Sequence, residues 1–369
     1  MAHLSLIGIA QGLLINAATI TGINDPTLKI TPAGFLRALM ENNAMTSINN
    51  LSDLQQGMDR DIAIRYQQRG NESEVTTLDD CDTPLTAEWK ETTIGRPMFS
   101  KIGIFISDAD MRKYEVEATK TLEVTANGTQ IDSTRQPLML GLYETMLAKI
   151  NALISHMDSQ LVSAQATKWG MNAAYGDSNA HTLTFGTTPT MTDGIVKLQA
   201  DMMENEVAGD VIVVGNGGVV LNDIYNRFKT GMDAAGIAAT PLRAYADSKT
   251  ATAWGANHFG AFAKGNIGLV DFCKYKGEFA GERGDSVFFT LPVPTTLANG
   301  EYASLEFDCQ LKYVDCPVYD NEGRKIADRG YKLIVSKSYG LFNLPNDAFA
   351  SNDRLAGVNG AFHYIGEVE

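Results

Sequence analysis

The stretch Gln136-Pro-Leu-Met-Leu-Gly-Leu-Tyr-Glu-Thr-Met-Leu-Ala-Lys-Ile-Asn-Ala-Leu-Ile-Ser-His-Met-Asp-Ser-Gln-Leu-Val-Ser-Ala-Gln-Ala-Thr-Lys168 decides how the rest of the chain is read. Proline at its second position suits a first helical turn. Met139, Leu142, Met146, Ile150, Leu153, Met157, Leu161 and Ala164 then recur every three or four residues. That period predicts one helix of about 32 residues, roughly 48 Å long. Glu144, Lys149, His156 and Asp158 exclude a bilayer span. About four heptads set in a chain full of strands read as the spine of an elongated domain rather than as a free coiled coil.

Upstream of the spine the signals are extended. Asp61-Ile-Ala-Ile-Arg-Tyr-Gln-Gln-Arg69 sets Ile62, Ile64 and Tyr66 on one side at strand period, and Gly70 ends it. An acidic tip from Gly70 to Pro84 follows, and a second extended stretch, Glu88 to Ile106, carries Trp89, Ile94, Ile102, Ile104 and Ile106. Together they predict a long two-stranded excursion, which buries too little apolar surface to be stable alone. It needs a partner surface, either the rest of the subunit or another copy, and its expected anchors are Ile62, Tyr66, Trp89 and Ile94. Ser107-Asp-Ala-Asp110 has the form of a capping box that starts a short helix. Before the excursion lies an apolar arm with a helical patch at Phe35, Leu36, Leu39 and Met40.

Downstream, helix and strand signals alternate from about 180 to 300. A helix near Gly194 to Glu204 carries Ile195, Leu198 and Met202; the buried strand Asp210-Val-Ile-Val-Val214 leads into Gly215-Asn-Gly-Gly218; Leu221, Ile224, Tyr225 and Phe228 mark a further helix; and Ser286 to Pro294 is another strand. After residue 300, Ala303, Leu305, Phe307, Cys309, Leu311 and Tyr313 alternate with Ser304, Glu306, Asp308, Gln310 and Lys312, which predicts one core face and one wet face. Asn321-Glu-Gly323 turns the chain, and Tyr331 to Phe342 returns as a second strand.

A net charge of −14 argues against a broad basic face for reading nucleic acid, while leaving open a container that encloses it. Cys81, Cys273, Cys309 and Cys316 form no CxxC pair and read as reduced and cytoplasmic. The apolar N-terminal run has no preceding Lys or Arg, so a secretory leader is not expected.

No constellation of residues signals catalysis. The turn after Val214 has Val220 where a dinucleotide fingerprint needs its third glycine, and no phosphate-loop lysine follows. His3, His156, His181, His258 and His363 are scattered, with His156 expected to flank the packing face of the spine. Asp79, Asp80 and Asp82 lack calcium-loop spacing. Cys309 and Cys316 fall on opposite faces of one strand. The expectation is therefore no enzyme, no cofactor and no metal.

The order of elements resembles the major capsid protein of tailed bacteriophages, the Hong Kong 97-type fold. Particular likenesses are Ser100-Lys-Ile-Gly-Ile-Phe-Ile-Ser-Asp-Ala-Asp110 entering the spine, Asp210-Val-Ile-Val-Val214 in the middle module, and the late strand from Lys332 to Pro345. The resemblance implies an α+β fold with an N-terminal arm over 1–58, an extended loop over 59–106, a peripheral domain over 107–185 and 300–369, and an axial α/β domain over 186–299. It further implies many copies of the chain in an icosahedral shell around double-stranded DNA, assembled in the bacterial host cytoplasm with scaffolding and portal proteins and without a membrane. Lys90 and Lys101 are the candidates for the crosslinks some relatives form. The rival readings are an encapsulin-like shell around protein cargo and an α/β nucleotide-binding enzyme with its site at Gly215 to Gly218.

Overall fold

A computed structural model describes residues 9–10, 13, 34–41, 62–68, 89–94, 98–111, 136–185, 194–207, 210–216, 242–276, 279–296, 302–319, 322, 325–349, 351 and 353–368. The acidic tip at 70–84, the turn residues 217–218 and the expected helix at 221–228 lie outside them. So do Arm residues 14–33 and 42–58.

In chain order the elements are helix α1 (Gly34–Glu41), strands β1 (Ile62–Gln67), β2 (Trp89–Ile94) and β3 (Met98–Ser107), helix α2 (Gln136–Gln165), β4 (His181–Phe185), helix α3 (Gly194–Glu204), β5 (Val211–Gly215) and β6 (Leu242–Ala246). A helical turn at Thr250–Ala253 precedes β7 (His258–Ala263), β8 (Ile267–Phe272), β9 (Gly281–Arg283), β10 (Ser286–Thr296), β11 (Tyr302–Tyr319), β12 (Lys325–Asn343) and β13 (Ala361–Val368). They form a β1-β2 ribbon, a sheet in the order β3-β12-β11-β10-β9 with β8 also on β12, and a mixed sheet in the order β4-β13-β7-β5-β6.

The spine is α2, 30 residues long. Leu142, Met146, Ile150, Leu153, Met157 and Leu161 are buried as the stripe requires, and Tyr143, Leu147, Ile154 and Val162 widen it. This breadth follows from the setting, since α2 packs on β3 and β12 and also receives α1 and the helical turn. Ser107 caps the next helical start as expected. Its Oγ accepts the Asp110 N–H at 3.1 Å and donates to the Asp110 carboxylate at 2.7 Å.

Strand β5 shows why the run Val211 to Val214 is apolar on both sides. Ile212 and Val214 face the core under α2, while Val211 and Val213 face a second core with Leu183, Phe185, Leu198, Met202, Phe259 and Phe362. The described arm residues are part of this body, because Ile9, Leu13, Phe35, Leu36 and Leu39 all belong to the first core.

Three expectations are corrected by the pairing. The two-stranded excursion does not run to 106: Ile62 to Gln67 pairs with Trp89 to Ile94, whereas Met98 to Ser107 pairs with β12 in the body sheet. Sheet membership also crosses the boundaries at 185 and 299, since β10 lies beside β11 while β4 and β13 join the sheet of β5 and β7. The polar face of β11 is not uniformly wet, because Asp308 is buried and both its oxygens accept the Lys274 N–H, at 2.9 and 2.7 Å. On the opposite, core face Leu305, Phe307, Cys309 and Leu311 are buried as expected, and Tyr313 is 39% exposed at the rim.

The long hairpin β11-β12 forks. Along one edge β12 pairs with β11 up to Asp308↔Ser336, then with β8 from Ser338↔Phe272 onward. Lys337 is the residue between the two ladders, and period two sets it on the core face between Val335 and Tyr339. Its side chain is 0% exposed; the ammonium meets the Asp271 carboxylate and donates to the Glu306 carbonyl at 2.5 Å. Burial works against that charge, and Asp271 together with Cys273 and Asp308 more than offsets it, holding the group above the ordinary lysine range.

Candidate assembly surface

The β1-β2 ribbon is antiparallel, with Ile62 opposite Ile94, Tyr66 opposite Lys90 and Gln67 opposite Trp89. Directly opposed residues share a face. Trp89 and Tyr66 are therefore on opposite faces, so the four expected anchors do not form one patch. Ile62 and Ile94 are cross-strand partners at one end of the ribbon; Tyr66 and Trp89 lie at the other.

Tyr66 is engaged within its own chain. Its hydroxyl donates to Asp347, and Gln68 Nε2 donates to the carbonyls of Asp347 and Phe349 at 3.0 and 3.1 Å. Lys90 Nζ stands 3.8 Å from the same Asp347 carboxylate. Partial burial, and then the Asp347 carboxylate, push the Tyr66 hydroxyl up to about 12, so it stays a donor at any working pH. Asp347 thus roots the ribbon, a role the sequence reading missed; it sits in the loop after the Leu344-Pro345 stretch that ends the late strand.

The other face carries Arg65 and Glu91 in an exposed pair at 3.4 Å, and Trp89, which is 66% exposed. An indole of that size left in water on a two-stranded ribbon is the largest apolar exposure in this region of the described chain. Phe99, at the start of β3, is also exposed.

Some of the groups that sequence reading weighed for chemistry lie among the described residues, whereas His3, Asp79, Asp80, Asp82, Gly217 and Gly218 do not. Cys309 is fully buried with its thiol pushed well above the usual range by burial, and burial likewise lifts Cys273 to about 12. His156 is exposed on α2 and bonds Gln160. Two scattered histidines do come together: His258 Nδ1 and His363 Nε2 are 2.9 Å apart, with His363 stacked on Trp169 at 4.4 Å. No signal in the sequence paired them, since one is on β7 and the other on β13. Among the described residues no group of three His, Cys, Asp or Glu is placed to hold a metal ion, and no helix is long and apolar enough to cross a membrane.

No protein-family model matches the sequence, and no curated protein matches it. Solved phage structures are similar in outline. Mycobacterium phage Bobi is 10% identical over 99% of both chains with a TM-score of 0.42. The capsid asymmetric unit of cyanophage A-1(L) is 10% identical over 83% of this chain and 87% of that one, with a TM-score of 0.40. The capsid of cyanophage P-SCSP1u is 12% identical over 84% of both chains, with a TM-score of 0.39.

Proposed function

We propose that the chain is the major capsid protein of a tailed phage, a structural subunit that assembles in many copies into an icosahedral shell around double-stranded DNA. The observation that carries the reading is the ribbon: two strands rooted by Tyr66, Gln68 and Lys90 on the Asp347 loop, with Trp89 presented outward. Such a ribbon is costly in a monomer and useful only when a neighbouring copy covers it. On this reading 1–58 is the arm, the ribbon the extended loop, α2 the spine of the peripheral domain, and the mixed sheet the core of the axial domain. Ile62, Tyr66, Trp89 and Ile94 are the interface positions, Trp89 facing the neighbour and Tyr66 bracing the ribbon from behind. The chain acts without a cofactor, is made in the host cytoplasm, resides in the virion, and works with scaffolding and portal proteins. A net charge of −14 suits a wall that confines DNA without gripping it.

Electron microscopy of the purified protein, alone and with a scaffold, tests the proposal. Closed shells of uniform size are expected. A stable monomer under every assembly condition would overturn it, and native particles filled only with protein would replace the genome with protein cargo.

A further inference from the structure

The face of the body sheet turned away from α2 carries a row of cations. Directly opposed residues share a face, and the registers Phe105↔Lys332, Lys332↔Lys312, Lys312↔Ser286 and Ser286↔Arg283 run straight across β3, β12, β11, β10 and β9. Leu311 and Leu333 beside them are buried in the core, so Lys312 and Lys332 are on the other face. At ~4.8 Å between strands, the row from Lys332 through Lys312 to Arg283 spans about 15 Å. Arg283 is held by aromatic rings, with its guanidinium 5.8 Å from the Phe279 ring and 5.9 Å from that of Phe288. Among the described residues Lys312 and Lys332 have no ion-pair partner. The carboxylates nearby are engaged elsewhere: Asp308 accepts the N–H groups of Lys274 and Tyr275, Glu306 pairs with Lys276, and Asp285 accepts the Ser286 hydroxyl at 3.3 Å.

Two lysines set directly opposite each other cost the isolated subunit stability. In a chain of net charge −14 such a row fits an anionic partner, and the sequence supplies one. Glu72, Glu74, Asp79, Asp80, Asp82 and Glu88 fall between Arg69 and Lys90 with no basic residue among them. We propose that the row of Lys332, Lys312 and Arg283 receives this acidic segment from a second copy of the chain. The inference rests on the shell reading and names the surface on which the neighbour's ribbon lands. Within one copy the layout is unfavourable. The segment joins the ribbon at Gln67 and Trp89, the end held at Asp347, and from there β2 leads into β3, so the segment departs from the end remote from β3. From Lys332, where the row crosses β12, to Asn343 at the Asp347 end is roughly 36 Å of strand at ~3.3 Å per residue. A neighbouring copy presents the row without any folding back. Attraction between exposed charges is screened within about 10 Å in salt, so the row sets register and partner choice while Trp89 supplies apolar area.

Charge reversal in the full chain tests the pairing. Lys312→Glu with Lys332→Glu exchanges one like-charged pair for another, so the melting temperature should hold, while assembly followed by light scattering should be lost. Asp79→Lys with Asp80→Lys and Asp82→Lys should lose assembly too. Mixed in equal amounts, the two variants should assemble again, because each offers the other a complementary surface. Lys332→Gln, which relieves the opposed charges, should slow assembly without lowering the melting temperature. No recovery in the mixture overturns the proposal, and recovery only when all five reversals share one chain places the contact within a subunit. Normal assembly of either reversed variant, or an unchanged rate in Lys332→Gln, also overturns it while leaving the shell reading standing. If the row variant assembles normally and holds duplex DNA less tightly than the wild type at low salt, the row faces nucleic acid instead. A wild type that never assembles overturns both readings.

Discussion

The ammonium of Lys337 lies against the carboxylate of Asp271 at the one position where β12 changes its neighbour from β11 to β8. A fork in a sheet leaves backbone groups without ladder partners, and here the lysine takes the Glu306 carbonyl while Asp308 takes the N–H groups of Lys274 and Tyr275. The two side chains stitch the fork from opposite faces of the sheet.

Lys337→Ala should therefore be costly, leaving the Glu306 carbonyl and the Asp271 carboxylate uncompensated beside a cavity. A loss of ~3–5 kcal/mol in denaturant unfolding is expected, and Lys337→Met should lose less because it refills the space. Equal losses from both would show that the charge and its hydrogen bond, not packing, close the fork.

Trp89→Asp separates assembly from folding. With the indole 66% exposed, the stability of the monomer should change by no more than about 0.5 kcal/mol. Light scattering should nevertheless show assembly blocked. Normal assembly of this variant would remove Trp89 from the interface, and a large fall in melting temperature would make its role internal.

The pair His258 and His363 gives the mixed sheet an acid limit. Burial first, with the neighbouring His258, lowers His363 to about 4, and burial lowers His258 as well. Groups held neutral in the fold contribute stability that is complete above the ordinary value near 6.5 and lost as pH falls toward 4. Exchange of β7 and β13 amides should speed up over that window, and His363→Phe, which keeps the stack on Trp169, should weaken the dependence.

Gly34→Ala should undock the arm without harming the sheets. The substitution meets both the left-handed φ and the Asp247 side chain, for a cost of more than about 1 kcal/mol. Limited proteolysis should cut the arm of the variant faster than that of the wild type, with the melting of the body little changed; equal cutting rates would show that the helix start tolerates a side chain.

Much of the architecture was legible because it follows from local periodicity. The spine from Gln136, the helix from Gly194 to Glu204, the Ser107 cap and the alternation of Leu305, Phe307, Cys309 and Leu311 each state their own conformation within a few residues. Lys337 also stood in plain view at a core position of an alternating strand, a signal that a buried partner had to exist. Its partner was not readable, since Asp271 lies 66 residues away and meets it only through the fork.

What the sequence determined by itself is the elements with strong local patterns, among them β1, β3, the spine, α3, β5, β10, β11 and β12, and the apolar faces that these must bury; β4, β6 to β9 and β13 carried no such signal. Only the tertiary structure decided which strands pair: it gave Met98 to Ser107 to the body sheet, set Trp89 and Tyr66 back to back, and brought Asp158 and Asp247 onto the start of α1. The physical reason is the range of the forces involved. Helix period, capping and alternation are written in neighbouring residues, whereas strand partnership and buried charge are settled by loop closure and desolvation across the whole chain.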